Sequence, residues 1–171
     1  MTTKPRPGDP GWTEYLAEGN ALQARKRSCA DAVIRDPDGR VLLVDPDYKN
    51  GWDLPGGMAE ANEPPTETVR RELREELALD LPVQRLLVID WVAPHGPWDD
   101  LIAFVFDAGT LTAAQAAAVR PRDEELNACA FLPPDQALPL LPDAQRRRLE
   151  QALAALTTGR TAYLHNGIPP W

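Results

Sequence analysis

Three glutamates, Glu72, Glu75 and Glu76, fall within five consecutive residues of a segment rich in good helix formers. At about 100° per helical residue, their side chains fill an arc beside an apolar stripe that contains Leu73. Like charges three or four residues apart destabilise a helix by about 0.2–0.5 kcal/mol per pair, unless a cation occupies that face. Carboxylate oxygens suit Mg²⁺ or Mn²⁺ better than zinc. The segment therefore predicts a divalent-metal site on one face of a helix.

The spacing around these glutamates is more specific than the acidic run itself. The acidic run alone leaves the metal site as the less common interpretation, because a bare run of mixed charge is most often a solvated helix, here with an ion pair between Arg71 and Glu75. In this chain, however, five residues separate Gly57 from Glu63, and seven more separate Glu63 from the pair Arg71 and Glu72. Glycines before such a helix permit backbone conformations and close approaches that a side chain would forbid. The whole pattern, rather than its charge, therefore points to a function.

Residues 57–79 resemble the Nudix box. That box reads glycine, five residues, glutamate, seven residues, arginine-glutamate-aliphatic, one residue, glutamate-glutamate, one residue, glycine-aliphatic. Every specified position matches except the second glycine, which is Ala78 here and stands where the family's glycine ends the helix. Eight such matches would arise by chance on the order of once in a million chains of this length. The lead-in from Trp52 to Gly57 is also similar, and the resemblance covers about residues 28–156.

The resemblance implies an enzyme, a Mg²⁺-dependent Nudix hydrolase in which Mn²⁺ can substitute. It would let water cut a diphosphate linkage in a nucleoside diphosphate joined to another moiety, as in nucleoside triphosphates, ADP-ribose or nucleotide sugars. The implied metal ligands are three side chains and one backbone carbonyl, those of Glu72, Glu75, Glu76 and Gly56. Arg71 and Glu63 would pair to anchor the loop to the helix. The alternative is a non-catalytic Nudix-fold module that senses a nucleotide and regulates a partner.

Residues outside the box are expected to complete the site. Nudix enzymes often take another acid from a later loop, and we favour Glu125, then Glu124, as this catalytic and metal-binding residue; surface acids in a loop are an equally good interpretation. For substrate binding, Trp91 and Trp98 flank a loop that could stack on a flat group, although core packing is the better interpretation for Trp91. Arg27 could meet phosphate, although positive charge at a helix end is commoner.

The elements that must position these residues predict an α/β fold, namely a mixed β-sheet sandwiched between α-helices, the α/β/α sandwich of the Nudix fold. We expect a helical N-terminal extension over 1–27, the Nudix domain over 28–156 and a tail without clear periodicity over 157–171. Strands are expected at 28–34, 41–44, 83–92, 101–106 and 128–132. Helices are expected from Pro65 to about Leu77, over 112–119 and over 143–156.

Composition limits the classes of partner. With 26 acidic and 18 basic residues the formal charge is −8, which argues against binding of long nucleic acid. A small nucleotide-like diphosphate can still be the substrate if a metal supplies positive charge. No apolar stretch approaches a membrane span or a secretory signal, so we expect a cytoplasmic protein. Two cysteines are too few for a disulfide framework. The oligomeric state stays open, with a homodimer as one option in which the N-terminal extension crosses to a second subunit.

Overall fold

A computed structural model describes residues 4–171 of the chain. Its strands are β1 (Arg27–Arg35), β2 (Val41–Pro46), β3 (Gly56–Met58), β4 (Arg85–Val92), β5 (Leu101–Thr110), β6 (Leu126–Leu132) and β7 (Ala162–His165). Its α-helices are α1 (Trp12–Leu22), α2 (Pro65–Leu77), α3 (Ala113–Ala118), α4 (Pro134–Ala137) and α5 (Asp143–Thr158), and a 3₁₀ turn covers Leu138–Leu140.

All seven strands join one mixed sheet in the order β6-β2-β1-β5-β4-β7, and the short β3 pairs with β1 off this path. The pairs β1–β5 and β4–β7 are parallel, whereas the others are antiparallel. Helices cover both faces, so the predicted α/β/α sandwich with a mixed sheet is confirmed.

The two faces of the sheet carry separate apolar cores, and strand alternation assigns each residue to one of them. On β1, Ala30 and Ala32 face α2, whereas Val33 packs in the core beneath α5. The same alternation places Cys29 and Asp31 on the α5 side of the sheet. The central strand thus carries a buried carboxylate on the face that α5 covers.

Helix α2 begins and ends where its sequence indicates. Pro65 occupies the first helical position, where its missing N–H costs no hydrogen bond. The helix ends at Ala78, which adopts a left-handed conformation with φ 55° and ψ 30°, and the Leu79 N–H donates to the Leu73 carbonyl at 2.9 Å. The chain therefore keeps the turn that glycine usually makes, at a cost of about 1 kcal/mol for alanine.

The two ends of the chain differ in how they join the domain. Helix α1 buries none of its residues and is separated from β1 by a short extended segment. At the other end α5 continues to Thr158, two residues past the predicted end, and β7 then adds a parallel strand beside β4. Sequence periodicity gave no signal for β7, because a four-residue edge strand is too short to show one. Within residues 4–171 no helix is long and apolar enough to span a membrane.

Candidate active site

Two glycines bring strand β3 into close contact with β1 on one side and with α2 on the other. Gly56 has φ +142°, and a Cβ atom there would collide with the backbone of Ala30 and Asp31. At Gly57 a Cβ atom would lie 2.5 Å from Oε1 of Glu72. The two glycines therefore allow the backbone to approach both the neighbouring strand and the carboxylate of Glu72.

Glu76 is the most buried acid of the predicted metal cluster. Its carboxylate accepts a hydrogen bond from the Gly56 N–H at 3.3 Å. The pKa of Glu76 is raised to about 8, chiefly by burial and also by the charges of Glu72, Asp123 and Asp31, while the hydrogen bond from Gly56 opposes this rise. Burial also raises the pKa of Glu72, although hydrogen bonding to Arg71 opposes it. Both acids lie where an added positive charge would stabilise their ionised forms.

Arg71 and Glu63 anchor the loop before α2 to the helix. Arg71 Nε donates to Glu63 Oε1 at 2.9 Å, and Nη2 donates both to Glu63 Oε2 at 3.1 Å and to the Met58 carbonyl at 3.0 Å. Glu63 also accepts from the Thr68 hydroxyl at 2.8 Å and the Glu60 N–H at 3.0 Å. These hydrogen bonds, of which those from Arg71 are the largest influence, lower the pKa of Glu63 to about 2.

The other predicted acids lie further out. Glu75 is an exposed side chain that pairs with Arg71 Nη1 at 3.0 Å. Glu125 is also exposed, and its backbone carbonyl accepts from the Asp47 N–H. Asp123, which sequence reasoning passed over, is the acid of that loop whose charge acts on Glu76. The Arg122 N–H donates to the Glu76 carbonyl at 2.7 Å, and this contact brings the loop to the end of α2.

The donor set fits a divalent cation that prefers oxygen. Glu72 and Glu76 offer carboxylate oxygens, and their raised pKa values reflect burial together with the charges of neighbouring carboxylates. In the described part of the chain no three His, Cys, Asp or Glu side chains are already gathered as ligands, and Arg71 holds Glu72 and Glu75 in ion pairs. Cation binding would thus exchange these ion pairs for metal contacts.

A cleft of about 480 Å³ opens beside the two glycines, on the α5 face of the sheet. One side is apolar and aromatic, and it includes Met58, Val92, Trp98 and Leu101. The other side is polar and lies between β1, the loop after β2 and the first turns of α5. It includes Asp31, Tyr48, Lys49, Asp53, Gln145 and Arg148. The cleft can therefore hold a molecule that is flat or apolar at one end and hydrogen-bonding at the other.

The structure separates the predicted substrate-binding residues. Trp98 is 56% exposed, and the Arg27 guanidinium stacks 4.6 Å from the centre of its ring at the edge of the cleft. Trp91 is not among the residues that line this cleft. Its indole N–H donates to Asp100 at 2.9 Å, and its ring packs edge-on against His165. His95, to which the sequence assigned no role, does line the cleft.

Sequence reasoning missed the polar floor of the cleft. Arg148 lies on α5 with its side chain only 7% exposed, and its Nε donates to Asp90 at 3.0 Å. Burial raises the pKa of Asp31 to about 7, with Asp53 adding to the effect and Arg148 opposing it. One signal was available: Asp31 and Asp90 interrupt strands that otherwise read as apolar, and buried acids need partners.

The acidic helix, the glycine turn and the cleft thus lie next to one another, and the carboxylates of the helix are of the kind that divalent cations prefer. The NUDIX domain family matches residues 25–154 of this chain. The chain therefore belongs to the Nudix family, as the box predicted, and Nudix hydrolases generally use divalent metal ions.

Individual relatives agree with this membership. The chain is 32% identical over 119 residues to "Putative ADP-ribose pyrophosphatase YjhB" of Bacillus subtilis (strain 168), which covers 68% of this chain and 54% of that protein. It is 29% identical over 126 residues to a MutT-like protein of Streptomyces ambofaciens, covering 74% and 75% of the two chains. The NUDIX domain of Shewanella oneidensis NrtR, solved with ADP ribose, shares the fold, with TM-score 0.67 and 23% identity over 84% of this chain and 97% of that domain. This chain thus spans about half the length of the Bacillus relative.

Proposed function

We propose that this protein is a Mg²⁺-dependent hydrolase that cleaves the diphosphate linkage of a nucleoside diphosphate joined to another moiety. The observation that carries the proposal is the position of Glu76. This buried carboxylate faces the charge of Glu72 and accepts a hydrogen bond from the N–H of Gly56, a residue that lines the cleft. Family membership supports the same chemistry, because several relatives bear the names of pyrophosphatases and diphosphatases.

The residues proposed to hold the metal are Glu72, Glu76 and the carbonyl of Gly56, with Glu75 and an acid of the loop at 123–125 completing the set. When bound, the metal would relieve the repulsion between the diphosphate and an attacking hydroxide and lower the pKa of bound water. Residues of the chain itself fix the geometry of the site. Arg71 and Glu63 fix the glycine turn against α2, so that backbone and carboxylates keep their separation when a charged substrate enters.

A carboxylate of the same cluster is proposed to accept the proton of the attacking water. The pKa of this carboxylate must lie near the working pH for this task. The cleft then holds the part of the substrate beyond the diphosphate. Trp98, with Arg27 on its face, is proposed to stack on a flat ring at the cleft edge.

ADP-ribose and related nucleoside diphosphate sugars are the substrates we place first. The Bacillus relative is named for ADP-ribose, and the Shewanella domain was solved with it. The cleft volume of about 480 Å³ falls in the range of about 300–1,000 Å³ typical of ligand pockets. An aromatic edge beside a polar floor also suits a molecule that has a base at one end and a sugar at the other.

The decisive experiment offers a panel of nucleoside triphosphates, ADP-ribose and nucleotide sugars to the purified protein with Mg²⁺ and identifies products by mass. We expect one subset to be cleaved at the diphosphate, with activity lost in excess chelator and restored by Mg²⁺ or Mn²⁺. Glu76→Gln is the matched control for a contaminating hydrolase. Turnover that persists in chelator would contradict the metal proposal, whereas binding without any turnover would favour the nucleotide-sensing module.

A further inference from the structure

Arg148 presents unused hydrogen-bond donors to the floor of the cleft. Its side chain is only 7% exposed, and Nε donates to Asp90 Oδ2 at 3.0 Å. The carboxylate of Asp31 lies 3.8 Å from Nη1, which is beyond hydrogen-bond distance. Among residues 4–171 neither outer nitrogen makes a hydrogen bond, and Arg148 lines the cleft. These N–H groups are thus the donors that the fold offers to a bound molecule.

The guanidinium is held rigidly in this orientation. Asp90 is fully buried, and besides Arg148 it accepts the Gly167 N–H at 3.0 and 3.1 Å. Gly167 belongs to the turn after β7, and the neighbouring Asn166 is tied to the end of β4 through the Trp91 carbonyl. The C-terminal segment therefore fixes Asp90, and Asp90 fixes Arg148. A donor held in place before binding loses little conformational entropy when a ligand arrives.

Charge around Arg148 selects the kind of group it can receive. Burial alone would lower the pKa of Arg148, but Asp31 and Asp90 raise it, so the guanidinium stays charged. The carboxylates of Asp31 and Asp90 already lie beside this guanidinium, so an additional anion would be placed close to them. An uncharged oxygen acceptor fits better, and Asp31 can accept from a donor next to it. Vicinal sugar hydroxyls and the carbonyl and N–H edge of a base both offer this combination.

The position of Asp31 places this pair next to the proposed reaction centre. Asp31 is the cross-strand partner of Gly56, whose carbonyl is a proposed metal ligand. Arg148, on α5, lines the same cleft as Gly56 and lies 3.8 Å from the carboxylate of Asp31. A substrate whose diphosphate lies at Gly56 would therefore extend its remaining part across Asp31 toward Arg148.

We propose that Arg148 and Asp31 bind the uncharged polar group at one end of the substrate and so determine which sugar or base the enzyme accepts. This inference rests on the proposed function and deepens it. Arg148 supplies two fixed donors to an oxygen acceptor, and Asp31 accepts from the adjacent hydroxyl or N–H. The scissile diphosphate itself makes no contact with Arg148 under this arrangement.

The test compares the wild-type protein with Arg148→Lys, which keeps the charge beside Asp90 but lacks the planar fork, and with Asp31→Asn. Arg146→Lys, on the same helix but outside the cleft, is the matched control. One arm varies the distal sugar on a constant nucleoside, and the other varies the base with a constant sugar. kcat/KM is measured with Mg²⁺, and binding of ribose 5-phosphate and of nucleoside monophosphates is measured by calorimetry without metal.

We expect Arg148→Lys to reduce the difference in kcat/KM between the substrates of one arm by about 10- to 100-fold, because hydrogen bonds to a charged group are lost. The affinity for the corresponding fragment should fall by a similar factor. The arm that narrows identifies the sugar or the base as the bound group. Asp31→Asn should narrow the same arm, and Arg146→Lys should change neither. An equal loss for every substrate in both arms, or no change in either, would overturn the proposal.

The binding measurement separates this proposal from the hydrolase proposal. A wild-type protein that binds a fragment but turns over nothing would refute the hydrolase, while weaker binding by Arg148→Lys would still support the role of Arg148. Hydrolysis with an unchanged preference in the variant would refute the role of Arg148 alone. A wild-type protein that binds none of the fragments would overturn the proposal for Arg148 directly.

Discussion

Gly57→Ala should slow the enzyme without unfolding it, because the added methyl group meets only the far end of a side chain. The new Cβ atom would lie 2.5 Å from Oε1 of Glu72, whereas ordinary contacts begin near 3.4 Å, so the carboxylate must retreat by about 0.9 Å. A misplacement of about 1 Å at a reacting centre can lower the rate about 100-fold, or about 2.7 kcal/mol in the barrier.

Stability should change in the opposite direction. The backbone at Gly57 is not in the left-handed region, so alanine fits its conformation and stabilises the fold by about 0.4–1 kcal/mol through the unfolded chain. The melting temperature should then stay unchanged or rise by about 1–4 °C. The assay is kcat/KM at saturating Mg²⁺ on the best substrate of the panel, together with thermal unfolding.

Two further glycine variants make this reasoning falsifiable. Gly19→Ala, on exposed α1 with no neighbour within 4 Å, should leave turnover unchanged. Gly56→Ala would collide with the backbone of Ala30 and Asp31, so it should lower the melting temperature by several degrees as well as the rate. If Gly57→Ala retains wild-type turnover while folded, Glu72 does not hold a catalytic position, and the proposed metal site is wrong.

Three other substitutions probe the same region. Glu76→Gln should lower turnover at least 100-fold yet keep or raise the melting temperature. Burial helps to raise the pKa of this carboxyl to about 8, and the neutral amide avoids the cost of burying a charged carboxylate. Near wild-type turnover would exclude Glu76 as a ligand. Leu73→Ala, fully buried, should cost about 2–5 kcal/mol in denaturant unfolding, with activity per folded molecule retained. Glu63→Gln should destabilise the protein at neutral pH. The pKa of Glu63 is about 2 in the folded protein and 4.5 in the unfolded chain. The stabilisation by Glu63 is therefore complete above about pH 5 and is lost as the pH falls through about 2. The unfolding curves of the wild type and the variant should converge at about pH 2.

The sequence alone determined the parts of this protein that depend on local spacing. A proline at the first helical position and an apolar stripe through Leu73 specify α2, and helical periodicity then gathers Glu72 and Glu76 on one arc. The same spacing identifies the Nudix family and predicts the α/β/α fold. The resemblance to the family predicted the pairing of Arg71 with Glu63, which lies before the helix and eight residues away along the chain.

Only the tertiary structure decided which side chains form the polar floor of the cleft. Asp31, Asp90 and Arg148 come from two strands and the last helix, and no periodicity relates positions so distant in sequence. Strand pairing brings Asp31 beside Gly56, and α5 packing brings Arg148 beside Asp31. Chemistry that resides on one helix can thus be read from the sequence. The proposed substrate selection depends on side chains from several elements, because the cleft exists only once the sheet has formed and α5 has packed on it.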